Sequence, residues 1–292
     1  MLLILAISAY EVKSKRVQGR RMRARPTHKN EDSNLPVAMV QVAGSRNLTE
    51  TEVERNWSRL PSVQVDRAVL REQQLYSDSG TGGDPAEAFD LLRTELLQAA
   101  HNHGLTRIAV TSAHRGAGVT HVAANLAVAI ARRKSARVVL ADLDLARPDL
   151  SARFGIKAPG PLPPVLLGEV APMVQPLRVA GNLALVLNEQ RVASPASILG
   201  EHSAREALDD LERMLQPDIM LIDLPPLIEG DAALSILPAM DGVLLVADGT
   251  TTTRRDLQQC ERALEGKTRL VGLVLNRAED ATRRWWRRRR RD

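Results

Sequence analysis

Six short apolar runs alternate with stretches of helical period between residues 106 and 277, and this alternation restricts the fold more than any other feature of the chain. The runs are TRIAVTS (106–112), ARVVLADLD (136–144), NLALVLN (182–188), DIMLIDLPP (218–226), DGVLLVADG (241–249) and TRLVGLVLNR (268–277). A run that is apolar at nearly every position is covered on both faces, which is the condition of a strand inside a parallel sheet. Helical stretches read at 119–133, at 195–214 with Ser194 as cap and Pro195 at the first helical position, and at 253–265. A further helix opens at Asp84-Pro85, carries Phe89, Leu92 and Leu96 on one face, and closes at Gly104. The expected fold class is therefore α/β: a doubly wound, mostly parallel sheet flanked by helices, spanning about 84–280.

Composition narrows this further. With two Phe, two Tyr and three Trp, the core has to be built from Leu, Val, Ile and Ala. The single cysteine, Cys260, excludes an internal disulfide framework, fits a reducing compartment, and reads as a small residue on a helix. Residues 1–83 show no sustained period. They read as a basic, mostly disordered arm and linker with a Gly/Ser/Asp-rich hinge at 77–84, and PVAMVQVAG (36–44) is a candidate strand within it. MLLILAISAY is apolar, yet it is only about half of the ~20 residues a bilayer-spanning helix needs. It suits a dip into a membrane surface, or an upstream start that is not the true one.

Ligands of such sheets bind beyond the carboxyl ends of the strands, and three strands end in chemically suggestive residues. After RIAVTS come Ala113-His114-Arg115-Gly116-Ala117-Gly118-Val119-Thr120-His121 and then a helix. Glycines there let backbone N–H groups wrap a phosphate at a helix N-terminus. A complete phosphate-binding loop carries a lysine at position 119, and this chain has Val119. VVLADLDLARPDL ends a second strand with Asp142 and Asp144, whose spacing of two sends both to one face, with Arg147 following. Paired carboxylates there suit Mg²⁺ or the orientation of an attacking hydroxyl. IMLIDLPPL brings Asp223 to the end of a third strand, as in a Walker B segment, before Pro225 and Pro226 force the chain out of the sheet. Asn276 and Arg277 close the last strand, and an asparagine amide can read a base edge.

Charge is concentrated at the ends. Residues 11–25 carry a net +6 and residues 283–292 another +6; against a total of +5, this leaves −7 on the rest of the chain. Polybasic ends favour anionic lipid or nucleic acid, and Trp285-Trp286 beside the arginines of an Arg/Trp-rich tail (281–292) suits an interfacial anchor. Solvated tails are the alternative.

Taken in order, SA…GAGVT, DLDLARP and DLPP resemble the deviant Walker A group of P-loop ATPases, and more narrowly the bacterial tyrosine kinases (BY-kinases) of capsule and exopolysaccharide export. PAEAFDLLRTEL and DAALSILPAMDGVLLVADGTTT extend the likeness over about 84–280, in the manner of the short, stand-alone cytoplasmic members. The resemblance implies ATP and Mg²⁺ as cofactors. It implies Thr120, Asp144 and Asp223 as metal-site residues, with Asp142 as base for a tyrosine hydroxyl beside Asp144. It implies Arg115, Gly116, Ala117, Gly118, Val119, Thr120, His121 and Arg147 around the phosphates, and Asn276 at adenine. It also implies a cytoplasmic protein, peripheral at the inner face of the plasma membrane, whose partner is a membrane polysaccharide co-polymerase or other export component. Anionic membrane is a further partner, nucleic acid ranks lower, and homo-oligomers are in keeping with the family.

Three departures from the family pattern bear on function. Val119 replaces the loop lysine, a charge whose loss costs about 10²–10⁵ in rate in comparable sites. The C-terminus RRWWRRRRRD holds no tyrosine; Tyr10 and Tyr76 are the two in the chain. The family's oligomerising E-x-x-R-x-x-R helix is here Glu87, Asp90 and Arg93. The expectation is an ATP-binding regulator of polysaccharide polymerisation and export with weak or lost phosphotransfer. A tyrosine kinase or ATPase acting in trans and a membrane-surface or nucleic-acid-binding scaffold are the alternatives.

Overall fold

The computed structural model describes residues 48–76 and 85–277, together with the backbone of Leu3–Leu5. The strands are β1 (Leu3–Leu5), β2 (Arg107–Ser112), β3 (Val138–Asp142), β4 (Pro176–Ala180), β5 (Leu183–Val186), β6 (Ile219–Asp223), β7 (Gly242–Asp248) and β8 (Arg269–Asn276). The helices are α1 (Glu50–Arg59), α2 (Arg67–Glu72), α3 (Pro85–His103), α4 (Val119–Ala131), α5 (Leu150–Phe154), α6 (Pro163–Leu166), α7 (Pro195–Leu199), α8 (His202–Leu215), α9 (Ala232–Ile236) and α10 (Arg254–Leu264).

The sheet runs β1-β8-β7-β2-β6-β3-β5-β4. The six strands from β8 to β5 are parallel, and the two edge strands β1 and β4 are antiparallel to their neighbours. The six parallel strands are the six apolar runs. Alternate residues of each run enter two cores, one on either face. Ile108, Val110, Val138 and Leu140 pack beneath α3 and α4. Ala109, Val139, Ala141, Met220 and Ile222 pack against α1, α8 and α9. Doubly wound burial is thus written into β3, β5, β6 and β7 as apolar strings buried along their length.

The structure departs from the sequence expectation in three places. Residues 48–76, read as part of a mostly disordered arm, form α1 and α2 and pack on the domain. Thr49 and Glu52 form a reciprocal capping box. Val53 and Trp57, one turn apart, are both buried. Trp57 Nε1 donates to Leu215 O at 2.7 Å and Asn56 Nδ2 to Met214 O at 2.9 Å, so α1 satisfies carbonyls that end α8. The signal was present as Leu48-Thr49-Glu50-Thr51-Glu52-Val53 and was too short to stand out against the basic stretch before it. Second, the helix expected at 195–214 is two helices parted at Gly200. Third, β4 folds back antiparallel on β5 through the turn at Gly181-Asn182, where Asn182 Nδ2 donates to Arg133 O and Ala136 O. The 36–44 strand, the 77–84 hinge with its Asp84 cap, and the 281–292 tail lie outside the described residues.

Candidate functional site

The glycine loop leaves β2 at Ser112 and becomes α4 at Val119. Gly116 (φ +85°) and Gly118 (φ +89°) hold backbone conformations that side chains disfavour. A Cβ on Gly118 would stand 2.3 Å from Asn276 Nδ2, because that amide donates to Ala117 O at 2.9 Å. The structure therefore brings Asn276 underneath the loop as a brace, bonded to the loop itself. Thr111 Oγ1 donates to Pro225 O at 2.7 Å, and Leu227 N to Ser112 O at 2.8 Å, which ties the loop's base to the Pro-Pro exit from β6.

A cleft of about 410 Å³ lies over these strand ends. Arg115, Gly116, Gly118, Val119, Thr120 and His121 line it from the loop, and Asp144, Arg147 and Asp223 from the neighbouring strand ends. Ala117 is buried and Asp142 is fully buried, both behind the lining residues.

Asp142 and Asp223 are direct partners in the β3–β6 register. Asp142 Oδ2 accepts the N–H groups of Asp149 and Leu150, each at 3.0 Å. Among the described residues its Oδ1 has no hydrogen-bond partner, and neither has Asp223 Oδ2. Burial pushes the Asp142 carboxyl up to about 7, against the two backbone N–H groups that favour its charged form. Burial, and then the Asp142 charge, hold Asp223 well above the ordinary carboxylate range; a hydrogen bond from Thr120 works the other way. The two aspartates of DLD do not share one environment. Strand β3 stops at Asp142, so the alternation that would pair it with Asp144 ends there. Asp144 lies in the following loop and accepts from Arg115 Nη1 at 2.6 Å and Nη2 at 3.3 Å.

Two buried carboxylate oxygens without partners beside Thr120 are costly as they stand and suited to a cation. Mg²⁺ keeps several waters and takes one or two carboxylates plus substrate phosphates. That demand matches a site whose own donors are two carboxylates beside a threonine hydroxyl.

Five arginines line the cleft: Arg115, Arg147, Arg153, Arg191 and Arg277. Arg115 is paired with Asp144 and, at 3.7 Å, with Glu229; Arg153 with Asp149 at 2.8 Å; Arg277 with Asp248 at 2.5 Å. His121 is half-buried, and burial, then Arg153 and Arg277, drop its pKa to about 4, so the ring is neutral at pH 7. Sequence reasoning singled out Arg115 and Arg147 and missed the other three as cleft residues. Arg153 stands one turn after Asp149 and Arg277 directly after Asn276, whereas Arg191 belongs to no motif. On α3, Asp90 accepts from Arg93 at 2.6 Å and also pairs with Arg132, the residue after α4. Cys260 is buried in α10, and burial raises its thiol to about 11.

A family model described as ParA, the NUBPL iron-transfer P-loop NTPases, matches residues 105–280. Tyrosine-protein kinase YwqD of Bacillus subtilis (strain 168) is 26% identical over 194 residues, covering 65% of this chain and 80% of that protein. A putative tyrosine-protein kinase EpsB of Ralstonia solanacearum is 29% identical over 206 residues, 69% of this chain and 27% of that much longer protein. The solved BceF tyrosine kinase domain superposes with a TM-score of 0.60 at 23% identity, covering 79% of this chain and 98% of that one. At that identity the superposition speaks for the fold. Since the family model spans more than half of the chain and its loop and aspartate strand ends stand together over one cleft, the chain belongs to the ParA-type P-loop NTPases, with relatives named as tyrosine-protein kinases.

Proposed function

We propose that the protein is a BY-kinase-like Mg-ATP-binding regulator of exopolysaccharide or capsule polymerisation and export, with phosphotransfer weakened or lost at Val119. The observation that carries this reading is the pair of unpartnered oxygens on Asp142 and Asp223 beneath a glycine loop that has Val119 at the lysine position. The backbone cradle, Thr120 and Asp223 hold nucleotide and Mg²⁺; the missing ammonium removes stabilisation of the transferring phosphoryl group. Arg115 does not replace it in the present geometry, because Asp144 and Glu229 already hold its guanidinium. With one cysteine, buried and protonated, the described domain has no thiolate set for the iron chemistry in its family's description. Calorimetry with Mg-ATP on the wild type and on Val119→Lys tests the proposal: binding by both, with turnover only in the variant, is the expected result. A wild type that neither binds millimolar Mg-ATP nor is stabilised by it refutes the nucleotide reading.

A second reading, tyrosine phosphorylation of a partner in trans, is favoured by Asp142. A carboxyl raised to about 7 is matched to general-base work near neutrality. Phosphate release that appears only with a tyrosine-bearing co-polymerase segment, and disappears in Asp142→Ala, supports it.

The partner in either reading is a membrane polysaccharide co-polymerase, and the location is cytoplasmic, peripheral at the inner face of the plasma membrane. Among the described residues no helix is long and apolar enough to cross a membrane. The net +6 of residues 283–292 and Trp285-Trp286 support attachment to anionic lipid. Flotation with anionic but not neutral liposomes at physiological salt is expected.

A further inference from the structure

Asp144 and Glu229 occupy the loop's own guanidinium, and Asp149 and Asp248 occupy Arg153 and Arg277. Two of the five cleft arginines remain. Neither Arg147 nor Arg191 has an ion-pair partner among the described residues, and both are exposed on the cleft. Free guanidiniums facing a phosphate loop are what a polyphosphate needs, since each offers several fixed N–H donors to anionic oxygens.

Arg191 is not on a casual surface loop. After β5 the chain turns on Asn188, which is fully buried. Its Oδ1 accepts from Gln190 N at 3.1 Å, and its Nδ2 donates to Gln190 O at 2.8 Å. One residue beyond Arg191, Val192 N donates to Leu145 O at 2.9 Å. The segment is thereby stitched to the loop that carries Arg147, whose own N–H donates to Asp144 O at 2.9 Å. Because β6 and β3 lie between β2 and β5 in the sheet, these two arginines enter the cleft from the side away from the glycine loop.

Resting on the nucleotide reading above, we propose that Arg191 and Arg147 form a two-guanidinium clamp for the terminal phosphates, supplying from the loops after β5 and β3 the positive charge that the glycine loop lacks at Val119. The class of ligand is a polyphosphate chain, and the clamp favours three phosphates over one. It binds rather than catalyses: two exposed guanidiniums hold charge without the fixed ammonium at position 119.

Calorimetric titration of the full chain with Mg-ATP, AMP and Mg-tripolyphosphate tests it. Arg191→Ala and Arg147→Ala are each expected to weaken Mg-ATP and tripolyphosphate by about tenfold, the scale of a charge-assisted contact, and to leave AMP unchanged. Arg191→Lys restores part of the loss. Arg213→Ala, the same charge change on α8 away from the cleft, leaves all three ligands as in the wild type. Unaltered thermal unfolding of Arg191→Ala shows that the effect is not misfolding. Wild-type binding of Mg-ATP that survives the double substitution unchanged overturns the clamp and leaves the nucleotide reading intact. Tripolyphosphate binding that depends on both arginines, without ATP binding, supports the clamp and overturns that reading. Binding of neither ligand by the wild type overturns both.

Discussion

Asp142 and Asp223 face each other as paired residues at the carboxyl ends of β3 and β6, both buried, each with one oxygen that no group among the described residues satisfies. Two carboxylates so placed repel each other and lose hydration, which raises both pKa values. The arrangement stores a demand for positive charge at the floor of the cleft. Neither aspartate alone creates it; it follows from the register that brings two strands with acidic ends side by side.

The first consequence concerns metal. Asp223→Asn removes a buried negative charge and is expected to leave the metal-free protein as stable as the wild type or more so. It should also weaken Mg-dependent nucleotide binding by an order of magnitude or more. Paired thermal melts with and without Mg-ATP check this; a variant with the same Mg-ATP stabilisation as the wild type contradicts it.

A second consequence concerns pH. Asp142 has its folded pKa raised to about 7 from an ordinary 3.8, so the native state binds a proton more tightly than the unfolded chain. Its contribution is fully present below pH 4 and is lost as pH rises from about 4 through 7. Asp142→Asn should flatten that decline by on the order of 1–3 kcal/mol, measured by urea unfolding at pH 5 and pH 8 without metal. His121, lowered to about 4, has the opposite sign: its contribution is present above its unfolded value of 6.5 and is lost as pH falls through 4.

The loop makes a sharper prediction. Gly118→Ala forces a side chain into a left-handed conformation and against Asn276 Nδ2. Nucleotide binding should fall below detection while circular dichroism stays native. Asn276→Ala, which releases the brace on Ala117 O, should weaken binding about tenfold, the worth of one or two hydrogen bonds.

Docking of α1 is testable apart from the site. Trp57 is 4% exposed and its Nε1 caps Leu215 O. Trp57→Ala should cost about 3–5 kcal/mol, read from the urea midpoint, whereas Glu54→Ala on the exposed face should leave it nearly unchanged.

Much of this architecture was legible along the chain. The six parallel strands follow from runs such as IMLID and GVLLVAD, apolar up to a closing aspartate because both faces of the sheet are covered. Thr120, Asp144, Arg147 and Asp223 were identifiable because each follows a strand end, and strand ends converge in this topology. Arg153, on α5, and Arg191, beyond β5, were not, because neither stands at a strand end or in a motif; Arg277 was read at the end of β8 without a role. Asn276 carried a readable signal with an incomplete meaning: its position after β8 was clear, and its bond to Ala117 O required the loop to be seen folded. The helix at 50–59 escaped because ten residues with two buried side chains give little periodicity, and its stability comes from packing on α8.

By itself the sequence determined the alternation of strand and helix, the faces each strand buries, the glycine loop and the absence of its lysine, because these depend on local periodicity and residue identity. The tertiary structure decided which charges meet. It set Asp142 against Asp223, turned Asp144 to Arg115, placed Asn276 under the loop, and left Arg147 and Arg191 over the cleft with no ion-pair partner among the described residues. Electrostatic and hydrogen-bond partners are matters of ångströms between segments far apart in the chain, and only the packed sheet sets those distances.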